Sequence, residues 1–500
     1  MRPCCHFSRR QFLQWAGVVA ATPLVAAFED VERAYGLTNG VKDNRVLPIN
    51  LELVTLTETT AILTWFTGDP MRPDRFGRLA PMPADTDVLL GPDPDERGLN
   101  FQTVHYDARK TPYHYVEITG LEPGRTYSVL ARSNGVQALP AANYFGSPFG
   151  TSGAGVPAGP LTFTTPQPPP GKHLFSIALC NDLHLGETVA GLAKTAVGVG
   201  IPPGISQLPG KRPYPEITAT ALAREARERG AQLLLAAGDV TGEASPTDLR
   251  KARELLDGFG TYNRDYFVAR GNHDRAHDND ESKSCTPVAG HPHRHDCFAD
   301  EFAPHDETWF AREAFGLRLI GIDTYDTIGN GAFRGAIGPE QFAFLREQLR
   351  RDRDRPTIVF GHHPLVLDAT SSSIPPVAYG LRLEQSRELT ALYRHAPGVF
   401  LHHAGHTHRN KRAISPNAPG VVFQEVAAVK EYPGGFHLLR VHTGGYALNF
   451  YKFKDPAAQE WSERSRPEYL GLAPLYTAGN RVDRNSVVAR DLSGLGSAHA

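Results

Sequence analysis

Five short clusters hold the side chains that could do chemistry. They read Asp182-Leu183-His184, Gly238-Asp239, Gly271-Asn272-His273-Asp274, Gly361-His362-His363-Pro364 and Gly405-His406-Thr407-His408. Singly, each has an ordinary explanation: Gly-Asp and Gly-Asn are common turn sequences, and a histidine pair can be a satisfied loop pair. Together they offer seven metal-ligating donors: Asp182, His184, Asp239, Asn272, His362, His406 and His408. No thiolate is among them, and seven exceed what one tetrahedral ion uses. The count suits two ions sharing one carboxylate, and mixed imidazole and carboxylate donors suit Fe, Mn, Zn or Co better than Ca or Mg. Two ions about 3.5–4 Å apart supply a hydroxide and clamp both oxygens of an in-line displacement, as phosphoester hydrolysis requires. His273 is read as the catalytic acid and Asp274 as the group that orients it, because an imidazole moves protons near neutral pH and a carboxylate can fix its tautomer. His363 and Arg409 stand beside donors and could contact phosphate; structural roles are equally open.

Each cluster follows a short apolar run: 174–179, 232–237, 266–269, 357–360 and 398–401. Such runs read as buried strands, and loops at strand ends are where open α/β sheets bind ligands. The two-residue period of a strand would point Asp182 with His184, and His406 with His408, to one side. Helical periodicity over 217–229, 246–258, 339–351 and 384–395 alternates with these strands and gives an α/β architecture.

The order Asp-x-His, Gly-Asp, Gly-Asn-His-Asp, Gly-His-His-Pro, Gly-His-Thr-His resembles the calcineurin-like metallophosphoesterase superfamily over residues 172–455. The resemblance implies a four-layer α/β/β/α sandwich with a dinuclear centre. It assigns Asp182, His184, Asp239 and His408 to one metal and Asp239, Asn272, His362 and His406 to the other, with Asp239 bridging. It prefers His362 to His363, since the family's ligand stands two residues before the Pro. Ahead of this domain, residues 45–166 carry short strands with turn signals, a core Trp65, and Leu121-Glu122-Pro123-Gly124-Arg125-Thr126-Tyr127. That stretch resembles the turn and corner tyrosine of a fibronectin type III β-sandwich. The layout is similar to that of purple acid phosphatases, with two departures. Gly242 stands where those enzymes place a tyrosine ligand, and they lack a counterpart of His184. An Fe(III)–tyrosinate chromophore is therefore not expected.

The N-terminus is an address. Ser8-Arg9-Arg10-Gln11-Phe12-Leu13, a modest apolar stretch and Val25-Ala26-Ala27 resemble a twin-arginine (Tat) export signal cleaved after Ala27. This implies the Tat machinery as a partner and a periplasmic, wall-associated or secreted location. Residues 28–44 read as a linker, 167–171 as a stiff proline linker, and 456–500 as an extended tail without strong periodicity. The insertion 187–214, rich in Gly and Pro, is expected to overhang the site. Cys285 and Cys297 could pair in an exported protein, and His291, His293 and His295 between them read as a solvated loop.

Composition bounds the rest. Hydrophobic content of 41%, charged content of 21% and a net charge of −2 fit a globular chain and argue against a nucleic-acid surface as its main business. No later apolar run is long enough to span a bilayer. The expected activity is a metal-dependent phosphoric ester hydrolase acting through a metal-bridging hydroxide, with monoesters and diesters both fitting. The competing class is a wall- or partner-binding protein that uses the fibronectin-like module beside a weak or inactive phosphoesterase domain.

Overall fold

The computed structural model describes residues 46–73, 79–93, 100–140, 160–191, 204–276, 280–285, 296–303, 307–327, 333–373, 380–468 and 473–496. The export signal, the 28–44 linker and the His291–His295 cluster lie outside them, as do parts of the 187–214 insertion. The chain divides into two compact units. Among the described residues no helix is long and apolar enough to cross a membrane.

Nine strands come first: β1 (Leu47–Leu56), β2 (Thr60–Pro73), β3 (Leu79–Pro81), β4 (Ala84–Gly91), β5 (Gln102–Thr111), β6 (Tyr113–Thr119), β7 (Thr126–Ser133), β8 (Val136–Gln137) and β9 (Leu161–Thr164). Strands β1-β2-β3, with β6 on β2, form one sheet; β5-β4-β7-β8, with β9 on β7, form the other. This is an all-β sandwich. Trp65 is buried and stacks on His114 with ring centroids 4.6 Å apart. The His114 ring meets Thr86 Oγ1 at 2.8 Å and Thr67 Oγ1 at 3.2 Å, so hydroxyls satisfy a neutral imidazole there.

The second unit holds the remaining strands: β10 (His173–Cys180), β11 (Val189–Ala190), β12 (Ile205–Ser206), β13 (Leu233–Ala237), β14 (Tyr266–Ala269), β15 (Phe310–Ala314), β16 (Leu317–Gly321), β17 (Thr357–Phe360), β18 (Val399–Ala404), β19 (Lys411–Ile414), β20 (Val422–Glu425), β21 (Gly435–His442), β22 (Gly445–Lys452) and β23 (Asn485–Ala489). Two six-stranded sheets result, β14-β13-β10-β21-β22-β23 and β15-β16-β17-β18-β20-β19. In the first, β10, β13 and β14 run parallel. In the second, β16, β17, β18 and β20 do.

Alternation along each strand builds the layers. On β17, Ile358 and Phe360 enter the core shared with Phe175, Ile177 and Leu179 of β10, while Val359 faces the opposite way. There it joins Phe342, Leu345 and Leu349 of α5 (Pro339–Arg351) and Leu389 and Tyr393 of α7 (Leu383–Arg394). Earlier in the chain come α1 (Tyr214–Glu228), α2 (Pro246–Asp257), α3 (Asp280–Lys283) and α4 (Cys297–Phe302), and α6 (Leu367–Ser371) lies between α5 and α7. Helix α2 starts where Ser245 accepts from Asp248 N and Pro246 takes the first turn, the expected capping chemistry. The fold is the α/β/β/α sandwich that the sequence resemblance implies. Cys285 and Cys297 form a disulfide.

The stretch after 455 differs from the sequence expectation of an extended tail. It contains α8 (Pro456–Ser465), α9 (Ala473–Tyr476) and α10 (Arg481–Arg484), and β23 extends the first sheet antiparallel to β22. Asp455 caps α8 by accepting from Ala457 N and Ala458 N, and Trp461 is buried. The helix is short and buries few apolar groups, so its period is weak in sequence.

Several imidazoles are packed neutral. Burial holds His114, His402 and His437 down to a pKa of about 3, against an ordinary 6.5. As pH falls below 6.5 the unfolded chain takes up these protons first. The stabilisation is therefore whole above pH 6.5 and declines toward pH 3, by about 1–3 kcal/mol per ring at pH 4.5. Thermal midpoints are expected to drop between pH 7 and 4.5, and His114→Gln should shrink the drop in the sandwich's transition. Midpoints independent of pH across that range would contradict it.

Candidate metal centre

The polar clusters emerge from the C-terminal ends of five parallel strands, three in one sheet and two in the other: β10, β13, β14, β17 and β18. Backbone bonds tie these loops together. Asp182 N donates to Gly238 O, His184 N to Asp239 O, and Gly405 N to His362 O, at 2.9–3.0 Å.

The local conformation corrects the strand-alternation expectation. Asp182, His184, Asp239, His406 and His408 all have positive φ, between 51° and 68°. They sit in tight left-handed turns beyond the strand ends, a conformation that costs non-glycine residues energy and clusters at functional sites. Glycines make the close approach possible. Gly238 has φ +84°, and a Cβ there would lie 2.7 Å from Gly271 N; one on Gly271 would lie 2.1 Å from Asp239 Oδ1.

Two triplets of donors converge: Asp182, His184 and His408, and Asp239, His362 and His406. Asp182 Oδ1 lies 3.1 Å from His408 Nε2 and 3.6 Å from His184 Nε2. Asp239 Oδ2 lies 3.0 Å from His362 Nε2 and 3.5 Å from His184 Nε2, so it faces both triplets. His362 Nε2 and His406 Nδ1 are 3.1 Å apart. Asn272 is buried, and neither its Oδ1 nor its Nδ2 has a hydrogen-bond partner.

Each histidine turns one nitrogen inward; His362, His406 and His408 anchor the other by a hydrogen bond, and His184 turns its other toward a carboxylate. His184 Nδ1 faces Glu187 Oε2 at 3.0 Å and His408 Nδ1 faces Glu431 Oε1 at 2.7 Å. His362 Nδ1 donates to Ala237 O and His406 Nε2 to Phe333 O, both at 2.8 Å. This is how metal-binding imidazoles are oriented. The electrostatics agree. Burial alone would raise the Asp182 and Asp239 carboxyls, but the imidazoles beside them, His408 and His362 foremost, hold both well below the usual range. Burial would lower His408, yet Asp182 and Glu431 push it up to about 9. A pocket with this surplus of carboxylate favours positive charge. Buried, unpartnered Asp182 Oδ1 and Asn272 Oδ1, inward imidazoles and an all-N/O donor set fit two transition-metal ions.

Other sequence expectations come out differently. Asp274 does not orient His273 through its carboxylate, which accepts from Gly271 N, Thr241 N and Thr241 Oγ1 at 2.9–3.0 Å. It pins the loop after β14 to the loop after β13. The imidazole is oriented instead by Gly242 O, 2.8 Å from His273 Nδ1. His273 belongs to neither triplet; its backbone N donates to Asp239 Oδ1 and its ring centroid is 4.8 Å from that of His184.

Of the two roles open to Arg409, its partners are those of the structural one. It is buried, with Nε on Glu425 and its other nitrogens on Ser372 O and Ala369 O. His363 is buried too, with Nδ1 on Thr324 Oγ1 at 2.7 Å and its ring packed against His406. Position 242 has little room for a side chain: a Cβ there would come within 3.3 Å of Glu187 Cβ. The sequence reading missed Glu187, Lys430 and Glu431. Lys430-Glu431 breaking the apolar run 426–429 was the available signal, since charges in a buried run are rarely idle.

Residues 175–410 match the family model for calcineurin-like phosphoesterase, and residues 6–26 match that of the twin-arginine translocation signal. The chain is thus addressed for export. A probable cyclic nucleotide phosphodiesterase from a Synechococcus species is 24% identical over 192 residues, 38% of this chain and 63% of the relative. The chain therefore spans less than two thirds of that relative's length. Among solved structures, a purple acid phosphatase from yellow lupin (Lupinus luteus) seeds is 16% identical with a TM-score of 0.39, covering 82% of this chain and 73% of the other. A dimetal phosphatase from Danio rerio is 14% identical with a TM-score of 0.41, covering 56% and 96%.

Proposed function

Because the chain carries a calcineurin-like phosphoesterase domain, we propose that it is an exported dinuclear phosphoesterase whose working residues are the two buried triplets, Asn272 and His273. One observation carries the reading: Asp239 Oδ2 faces histidines of both triplets, at 3.0 and 3.5 Å.

Asp182, His184 and His408 would hold one ion and His362, His406 and Asn272 the other, with Asp239 shared; Fe, Mn or Zn suits the donors. When bound, two such ions supply Lewis acidity, activated water and neutralisation of the phosphate's charge. The chain's own residues do the rest. The tight turns fix the donors before substrate arrives, so little reorganisation remains. Asp274 holds Asn272 and His273 against the loop of Asp239 by bonding Gly271 and Thr241. His273, turned by Gly242 O, delivers a proton to the leaving alkoxide oxygen.

The test is a panel of p-nitrophenyl phosphate, bis-p-nitrophenyl phosphate and 2′,3′- and 3′,5′-cyclic nucleotides, run with metal analysis of the exported protein. The cyclic nucleotides enter because the Synechococcus relative bears that description. Metal-dependent release of phosphate or of a monoester supports the reading and sorts the ester class. Protein that carries two ions and hydrolyses none of the panel favours a binding role for the chain.

A further inference from the structure

Behind the first triplet lies a buried assembly that the second triplet does not share among the described residues. Lys430 is 4% exposed. Its ammonium meets both oxygens of Glu187 at 2.7 Å and lies 3.6 Å from Glu431 Oε2. Glu187 faces His184 and Glu431 faces His408. One cation therefore joins the two carboxylates that face the two histidines of one site.

The assembly is held from all sides. Lys430 N donates to Asp182 O at 3.2 Å, and Lys430 O accepts from Trp461 Nε1 at 2.5 Å. Tyr214 OH donates to Glu187 Oε1 at 2.6 Å, and the Tyr214 ring stacks on Trp461 with centroids 3.9 Å apart. Trp461 comes from α8, so the C-terminal segment buttresses the centre. The second triplet has a weaker backing: its histidines are anchored by the neutral carbonyls of Ala237 and Phe333.

A carboxylate partner makes an imidazole a stronger donor than a carbonyl partner does, and a partner that cannot move fixes the ring. We propose that Glu187, Lys430 and Glu431 act as one positioning unit that makes the Asp182/His184/His408 cluster the tighter of two unequal metal sites. The proposal rests on the dinuclear reading above. None of the three touches the reacting ester; they act through His184 and His408. Lys430 also offsets the repulsion between the like-charged Glu187 and Glu431, so its loss disturbs both histidines at once.

The experiment titrates metal-stripped full-length protein with Co²⁺, following calorimetry and visible absorption. The wild-type chain should bind two ions in two distinguishable steps. Lys430→Met should weaken the tighter step about 10–100-fold, the range for such supporting groups, and leave the weaker step nearly unchanged. Glu187→Gln, close in shape, should weaken the same step, and it carries the test if the Lys430 variant does not fold. Two equal steps in the wild type, or variants that leave the tighter step intact or weaken both alike, overturn the proposal. A wild-type chain that binds fewer than two ions overturns the dinuclear reading itself, a different result.

Discussion

Asp239→Asn should cost the protein its metal pair. The carboxylate has two separate duties. Oδ1 accepts from His273 N at 2.8 Å, and Oδ2 faces His362 and His184. An amide cannot perform both. Its oxygen must stay on the His273 N–H, since the alternative sets donor against donor. The NH₂ group then lands where Oδ2 stood, a donor pointed at cations from a buried position. Removing one partner from a buried charge pair costs about 3–5 kcal/mol, roughly 10²–10⁴ in affinity. Metal analysis should fall from two ions per chain to one or fewer, and hydrolysis should fall with it. Two ions retained at normal turnover would remove Asp239 from the shared position.

The same carboxylate shows what a linear chain reveals and what it conceals. The order of the five clusters, each after an apolar run, was enough to place them at strand ends. Both β-rich regions were legible as well: buried parallel strands leave strong apolar runs in the second unit, and antiparallel strands leave alternation and turn signals in the first. The turns themselves were not legible. Asp182 and His184 look like alternate residues of a strand, but both adopt left-handed backbone, which only the close approach of neighbouring loops explains. Asp274 follows His273 directly, and adjacency suggested a partner. The tertiary fold gives that role to Gly242 O, thirty-one residues earlier, and sends the carboxylate to backbone amides. The two roles left open for Arg409 could not be separated for the same reason: proximity in sequence to a donor says nothing of which way a side chain turns. Its partners Glu425, Ser372 and Ala369 come from distant segments. Likewise Trp461, in a stretch without clear period, supports Lys430 from the far end of the chain. An Asp455-Pro456 pair did mark the start of its helix, an N-cap followed by proline in the first turn.

His273→Ala should leave the metals in place and slow the chemistry. The ring is outside both triplets, while Asp239, Asn272 and the four inward histidines keep their own supports. Its backbone N–H to Asp239 survives the substitution, so the shared carboxylate stays oriented. What is lost, on the proposed reading, is a positioned proton donor. Nδ1 is committed to Gly242 O at 2.8 Å, so the proposed donor to a departing oxygen is Nε2. General acid catalysis contributes about 10²–10⁴-fold, and most where the leaving group is a poor one. The variant should therefore lose on the order of 10²–10³ in turnover on alkyl phosphate esters. It should lose far less on p-nitrophenyl esters, whose phenolate departs without help. Two numbers decide it: metal content, expected unchanged, and the ratio of the losses on the two ester types. Equal losses on both would assign His273 to binding or support, and near-normal turnover on the alkyl ester would deny it a role in proton transfer.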